Sequence, residues 1–239
     1  MNVYENLKLG EILKENSYPG RGIVIGKTPD GAKAVVAYFI MGRSENSRNR
    51  VFVEEGQDVI IHPFDYSKVQ DPSLIIYSPI KNFSNYLIVT NGDQTDTIDE
   101  YLRNGKTFEE ALLTRRFEPD APNFTPRISG LITFEPYAYN YKLSILKSAD
   151  AEGTECNRYT FDYCGINGVG HFIHTYNCDG NPIPTFTGEP ERVAIPNDID
   201  EFANDIWNNL DENNKISLYV RYVGLKDGIV ENRMFNKNK

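Results

Sequence analysis

Residues 34–41 read AVVAYFIM, apolar on both faces of any strand they could form. A strand with no side to show water must lie inside a layered structure, covered above and below. The run is the second arm of a hairpin. Residues 21–27, RGIVIGK, precede it, and Thr28-Pro29-Asp30-Gly31 between them has the composition of a reverse turn.

Further strands are predicted in VFVEEGQDVIIHP, YLIVTNG, RISGLITF, YNYKLSILK, CNRYTFDYC, GHFIHTY and ISLYVRYVG. Short turns of Gly, Asn or Asp join most of them, which favours antiparallel pairing. Helices are fewer. Thr97 precedes Glu100 by three residues and Thr107 precedes Glu110 by three, so each pair spells a capping box and two helices follow. Residues 197–210, NDIDEFANDIWNNL, place Ile199, Phe202, Ile206 and Leu210 on one helical face, and residues 5–15 add a short helix at the start. The class is α+β, with mainly antiparallel sheets stacked face to face and helices outside. No linker or repeat divides residues 1–239, which read as a single domain with 1–17 as an N-terminal extension.

A net charge of −9 and a pI near 4.9 argue against a nucleic-acid partner, whose phosphates need a broad basic face. The first residues, MNVYENLKLGEILKEN, lack the apolar core of a secretory signal, and no run approaches a membrane span. The expectation is a soluble, cytoplasmic protein without a membrane partner. Cys156, Cys164 and Cys178 are odd in number and form no CxxC, which suits reduced thiols. His171 and His174 are three apart on a predicted strand and so point to opposite faces, which argues against a shared metal.

Three stretches could carry chemistry. GRSENSRNR at 42–50 gathers Arg43, Arg48 and Arg50 directly after the buried strand, either as a solvated turn or as a fork for a phosphate or carboxylate. TNGDQTDTI at 90–98 delivers Asn91, Thr95 and Asp96 to the start of a helix, where they cap it or help to hold an anion. RRFEPDAPNFTPRISG sets Glu118 and Asp120 between Arg115, Arg116 and Arg127, a setting that could tune a carboxylate for acid or base work. There is no GxxxxGK[ST], GxGxxG or GxSxG.

In their order, YPGRGIVIG, GRSENSRNR, TNGDQTDTI and FEPDAPNFTPRISG resemble the archaeal-type IMP cyclohydrolase family, and TYNCDGNPIPTFTGEP is similar to its later signature. The resemblance runs from about Tyr18 to the final strand. It implies a four-layer α-β-β-α sandwich like that of the Ntn hydrolases. It also implies an activity in purine biosynthesis, the cyclodehydration of 5-formamidoimidazole-4-carboxamide ribonucleotide to inosine monophosphate and water. No cofactor and no metal are implied, and the partner is a small purine ribonucleotide; a homo-oligomer stays open.

Carried over residue by residue, the resemblance puts the catalytic roles on Arg48, Tyr77 and Glu118, with Arg50 and Asp120 as their neighbouring alternatives. It puts substrate binding on Arg21, Arg43 and Arg127 toward the phosphate and on Asn91, Thr95 and Asp96 toward base or ribose. Two other readings are a non-catalytic purine-nucleotide binder on the same scaffold and an Ntn-type amidohydrolase. The latter needs a nucleophile freed as a new N-terminus.

Overall fold

The computed structural model of the chain describes residues 4–69 and 76–238. The expected hairpin is present as β1 (Arg21–Lys27) and β2 (Lys33–Met41), and β2 is buried at every position after Lys33. Four strands follow: β3 (Arg50–Glu55), β4 (Asp58–Pro63), β5 (Ile80–Phe83) and β6 (Tyr86–Thr90). Next come β7 (Arg127–Glu135), β8 (Ala138–Ser148), β9 (Cys156–Cys164) and β10 (Val169–His174). The last three are β11 (Glu191–Ala194), β12 (Lys215–Gly224) and β13 (Val230–Asn236). The helices are α1 (Leu9–Glu15), α2 (Glu45–Arg48), α3 (Gln94–Arg103), α4 (Phe108–Leu113) and α5 (Ile199–Asn209).

Two sheets form, in the orders β11-β10-β1-β2-β12-β13 and β3-β4-β5-β6-β7-β8-β9, and every pairing within them is antiparallel. The alternation along each strand assigns its side chains to one of three cores. Ile23, Ile25, Tyr38 and Ile173 of the first sheet meet Phe52, Val89, Ile132 and Leu143 of the second. Val24, Phe39, Phe172 and Val220 face the other way, onto Leu9 and Leu13 of α1 and Phe202 and Ile206 of α5. Ile88, Leu131 and Leu146 leave the second sheet outward to meet Ile98 of α3 and Phe108 and Leu112 of α4. Each sheet is therefore packed on both faces. At Gly130 a Cβ would come within 2.7 Å of Ile25 Cδ1, so the sheets approach closely where β7 passes β1.

The box at Thr107 and Glu110 forms as expected. The one at Thr97 does not, because α3 begins three residues earlier at Gln94 and Thr97 lies inside it. Thr95 explains the early start: its hydroxyl reaches the Gly92 carbonyl at 3.0 Å and Thr90 Oγ1 at 2.6 Å, tying the first turn to the end of β6. The N-terminal extension is part of the outer layer. Gly10 N–H donates to Asp205 of α5, and Leu7 bridges to Val193 of β11. Among the described residues, no helix is long and apolar enough to cross a membrane.

The two histidines do lie on opposite faces, His174 against Phe172 and Glu191, His171 in the inter-sheet core. His171 stacks on Tyr163 with ring centroids 3.7 Å apart, and its Nδ1 lies 2.6 Å from the Tyr141 hydroxyl, within hydrogen-bond distance. Burial, with Arg192 adding repulsion, lowers its pKa to about 4. Since the unfolded chain protonates near 6.5, it takes up the proton first as pH falls, so stability is full above that value and is lost between about 6.5 and 4. With allowance for solvent screening, the loss from this group is roughly 2 kcal/mol. Denaturant titrations at pH 7.5 and 4.5 should show the His171→Gln variant losing less stability than the parent by that amount.

Candidate active site

Arg21 is the first residue of β1 and shares the inward parity of Ile23 and Ile25. Gly20 sets it there from the left-handed region (φ +78°), where a Cβ would strike Thr175 and Tyr176. The Arg21 N–H donates to Thr175 Oγ1 at 3.1 Å, and its carbonyl accepts from Thr175 N at 3.0 Å. Tyr38, fully buried, sits on the same inner face of β2, opposite Ile23. Arg50 opens β3 and is 8% exposed. Tyr77 precedes β5, its carbonyl accepting from Ile61 N at 3.0 Å, and its hydroxyl lies 3.2 Å from that of Tyr38.

Glu118 comes from the loop between α4 and β7. Its N–H donates to the Thr125 carbonyl at 2.9 Å, which folds the loop back on itself. Asp120 completes that fold, because one carboxylate oxygen accepts from Thr125 N and the other from Thr125 Oγ1. Thr125 Oγ1 also lies 2.6 Å from the Tyr176 hydroxyl. Asp120 is thus occupied in shaping the loop, whereas Glu118 directs its charge at Arg21 and Arg50.

The electrostatics are unusual. Burial works against the charge on Arg21, but Glu118, followed by Tyr176, Tyr18 and Tyr77, outweighs it and holds the guanidinium pKa above the ordinary value. Arg50 goes the other way: burial and repulsion from Arg21 lower it despite Tyr77, Glu118 and Tyr38. Burial raises both Tyr38 and Tyr77, so both phenols keep their protons at neutral pH. The Nε atoms of Arg21 and Arg50 are buried without a hydrogen-bond partner among the described residues. Two buried cations against one carboxylate leave a positive surplus between the sheets, which an anion or a growing oxyanion would neutralise.

Arg48 lies elsewhere. It is exposed at the end of α2, a four-residue helix closed by a Ser44–Ser47 capping box, and its Nε donates to Gly42 O at 3.0 Å. The arginine that reaches Tyr77 is Arg50, two positions on, because the chain has by then entered β3. Arg43 stands at the mouth, bonded to Asp179 at 2.6 Å and Gly180 O at 2.9 Å and lying over the Tyr18 ring. Tyr18 in turn stacks on Tyr176, which leads inward to Arg21.

The TNGDQTDTI residues serve the backbone. Asn91 accepts from Ile128 N at 2.9 Å and donates to Pro126 O at 2.8 Å; Thr95 is spent as described; Asp96 is on the surface with Lys81 at 2.6 Å. Arg127 turns to the start of α3, held by Gln94 and Asp93 at 2.6 Å each. Burial would raise the Asp93 carboxyl, but Arg115 and Arg127 keep it below its ordinary range. Sequence reasoning missed Tyr38, Tyr18 and Tyr176. For Tyr38 one signal existed, the single hydroxyl in an otherwise apolar run.

Volume does not locate the site. A cavity of 680 Å³ lies between α1 and α5, lined by Leu9, Lys14, Phe202 and Asp205, but it has no comparable convergence of unpartnered polar groups. Comparison with known proteins gives the family. Residues 18–228 match the family described as IMP cyclohydrolase-like protein. The chain belongs to that family. An IMP cyclohydrolase from Methanopyrus kandleri is 38% identical over 146 residues, covering 57% of this chain and 72% of the relative. One from Methanococcus aeolicus is 30% identical over 165 residues, 67% of this chain and 75% of the relative. One from Methanosphaera stadtmanae is 36% identical over 128 residues, 51% and 61% respectively. The family match begins at Tyr18, at the mouth of the site, and leaves α1 outside it.

Proposed function

We propose that this member of the IMP cyclohydrolase-like family closes the second purine ring, converting 5-formamidoimidazole-4-carboxamide ribonucleotide to inosine monophosphate and water. The observation that carries the reading is the pair of buried guanidiniums, Arg21 and Arg50, with unpartnered Nε atoms beside Glu118, Tyr77 and Tyr38. Family membership supports it, and helices on both outer faces of two sheets support the Ntn-like layering that the family implies.

The carboxamide nitrogen attacks the formyl carbon, and one of its protons passes to the formyl oxygen. The resulting hydroxyl then leaves as water, with the proton of the formamido N–H. Glu118 suits both transfers, since a carboxylate that takes a proton from nitrogen can return it to oxygen. Tyr77, held neutral, donates a hydrogen bond to that oxygen, and Arg50 and Arg21 stabilise the charge that grows on it. Nucleophile and electrophile belong to one molecule, so holding the reactive rotamer supplies much of the acceleration.

Arg43 exchanges Asp179 for the substrate phosphate at the mouth. Asn91, Thr95 and Arg127 act through the turn that positions β7, and Asp96 has no part in the chemistry. The protein works in the cytoplasm as a single domain.

Purified protein should convert the formamido ribotide to inosine monophosphate, followed by ultraviolet absorbance. Tight nucleotide binding without turnover would leave a non-catalytic binder instead. Inosine monophosphate at 100 times its Kd should add about 2.7 kcal/mol, roughly 5–10 °C in Tm for a chain of this size. Equal stabilisation by inosine at the same concentration would remove Arg43 from the phosphate role.

A further inference from the structure

β9 is the outermost strand of its sheet, paired with β8 alone. That pairing runs unbroken from Asn140↔Cys164 to Ser148↔Cys156, with no bulge. Sheet edges are ordinarily blunted by proline, bulges or a covering segment, and the other edges here are managed. Leu7 covers β11, donating to Arg192 O at 2.9 Å and accepting from Ala194 N at 2.9 Å. Asn236 stitches β13 to β3 through the Phe52 backbone, with bonds of 2.8 and 3.0 Å. Among the described residues, no other segment's backbone meets the far side of β9. Yet β9 contains Tyr159, Thr160, Phe161 and Tyr163, residues that favour strands, and no proline.

Its sequence, CNRYTFDYC, complements itself about Thr160. Laid antiparallel on a second copy across a two-fold axis at Thr160, Arg158 faces Asp162, Tyr159 faces Phe161, and Cys156 faces Cys164. Alternation puts Arg158 and Asp162 on the helix side and Tyr159 and Phe161 on the other, so each pair meets on a common face. The symmetry also answers the chain's net charge of −9, because the only charges on the strand form two opposite-sign pairs across the axis. An unrelated peptide has no reason to match such a palindrome; a second copy matches it by construction.

We infer that β9 is the surface through which two copies of this chain pair, joining their seven-stranded sheets edge to edge. Nine opposed residues exchange about eight to ten backbone hydrogen bonds, within the range of a specific interface. Arg158 donates from Nε to Leu112 O, from Nη1 to Cys156 O of β9 itself and from Nη2 to Arg115 O, which holds the guanidinium beside the strand, with its remaining N–H groups left for Asp162 of the second copy.

Light scattering on the eluting full chain tests this. The mass expected is twice 27.2 kDa, and a monomer at tens of micromolar overturns the inference. Asp162→Arg sets like charges opposite each other twice, so the dimer should weaken at least about tenfold. Asp162 is exposed, and its one ionic partner is Lys142 at 3.6 Å, so the variant should fold. Opposed residues about 4.5–5.5 Å apart at Cα are within disulfide reach. In a Cys178→Ser background, a mixture of Cys156→Ser and Cys164→Ser chains under mild oxidation should cross-link to the double mass, and neither chain alone should. A dimer that Asp162→Arg leaves intact, or a mixture that fails to cross-link, would assign the contact to another face.

Discussion

Replacing Glu118 by Gln is expected to lower turnover of the formamido ribotide about 100- to 10,000-fold, the range for losing a general acid or base. The change keeps size and hydrogen-bonding reach and leaves the loop alone, since its fold rests on the Glu118 backbone and on Asp120. It does remove the carboxylate that offsets Arg21 and Arg50. The unbound variant should therefore melt a few degrees lower, while affinity for the anionic product holds or rises, because the cations then lack their internal partner. Loss of kcat with retained binding marks a group that acts on the reaction rather than on the ground state. Asp120→Asn should do the opposite, loosening the loop and costing more in Tm than in kcat. A folded Glu118→Gln protein with parental turnover would end the assignment.

How far the sequence reaches depends on the kind of information asked of it. The doubly apolar run at 34–41 implied a covered strand, and β2 is one, because burial on both faces leaves no other option. The face formed by Ile199, Phe202 and Ile206 appears as α5 for the same reason. Three short edge or connecting strands, β5, β11 and β13, escaped notice, since strands of four to seven residues with half-buried patterns carry little periodicity.

At the site, the limit is different. Residue type marked the arginines, but partnership decides their use, and partners come from distant segments. Arg127 meets Asp93 and Gln94 from α3's first turn, and Arg43 meets Asp179 from far along the chain. The asparagine and threonine of TNGDQTDTI have the look of ligand groups, yet they bond to backbone. Tyr77 belongs to the segment SLIIYSPI, of which residues 73–75 lie outside the described residues, though Tyr77 itself does not.

Arg48 and Arg50 are two positions apart, and the spacing that made them hard to tell apart is what separates them in space. Arg48 ends α2 in solvent, while Arg50 has entered β3 with its Nε buried. Arg48→Ala should leave kcat/KM within about threefold, since an exposed side chain outside the Arg21–Arg50 cluster loses one bond to Gly42 O. Arg50→Met should lower kcat/KM about 100- to 1,000-fold, the usual consequence of losing one oxyanion donor. Its effect on stability should be the reverse of an ordinary core substitution. Burial and Arg21 both oppose the charge on Arg50, so an apolar chain of similar length relieves desolvation and repulsion together. The variant should melt no lower than the parent, and higher if that relief exceeds the attraction to Glu118 that the guanidinium gives up. A more stable protein without activity is what a strained catalytic cation predicts. If instead Arg50→Met turns over normally and Arg48→Ala does not, substrate must draw α2 into the cleft, and the catalytic role returns to Arg48, where the family resemblance put it.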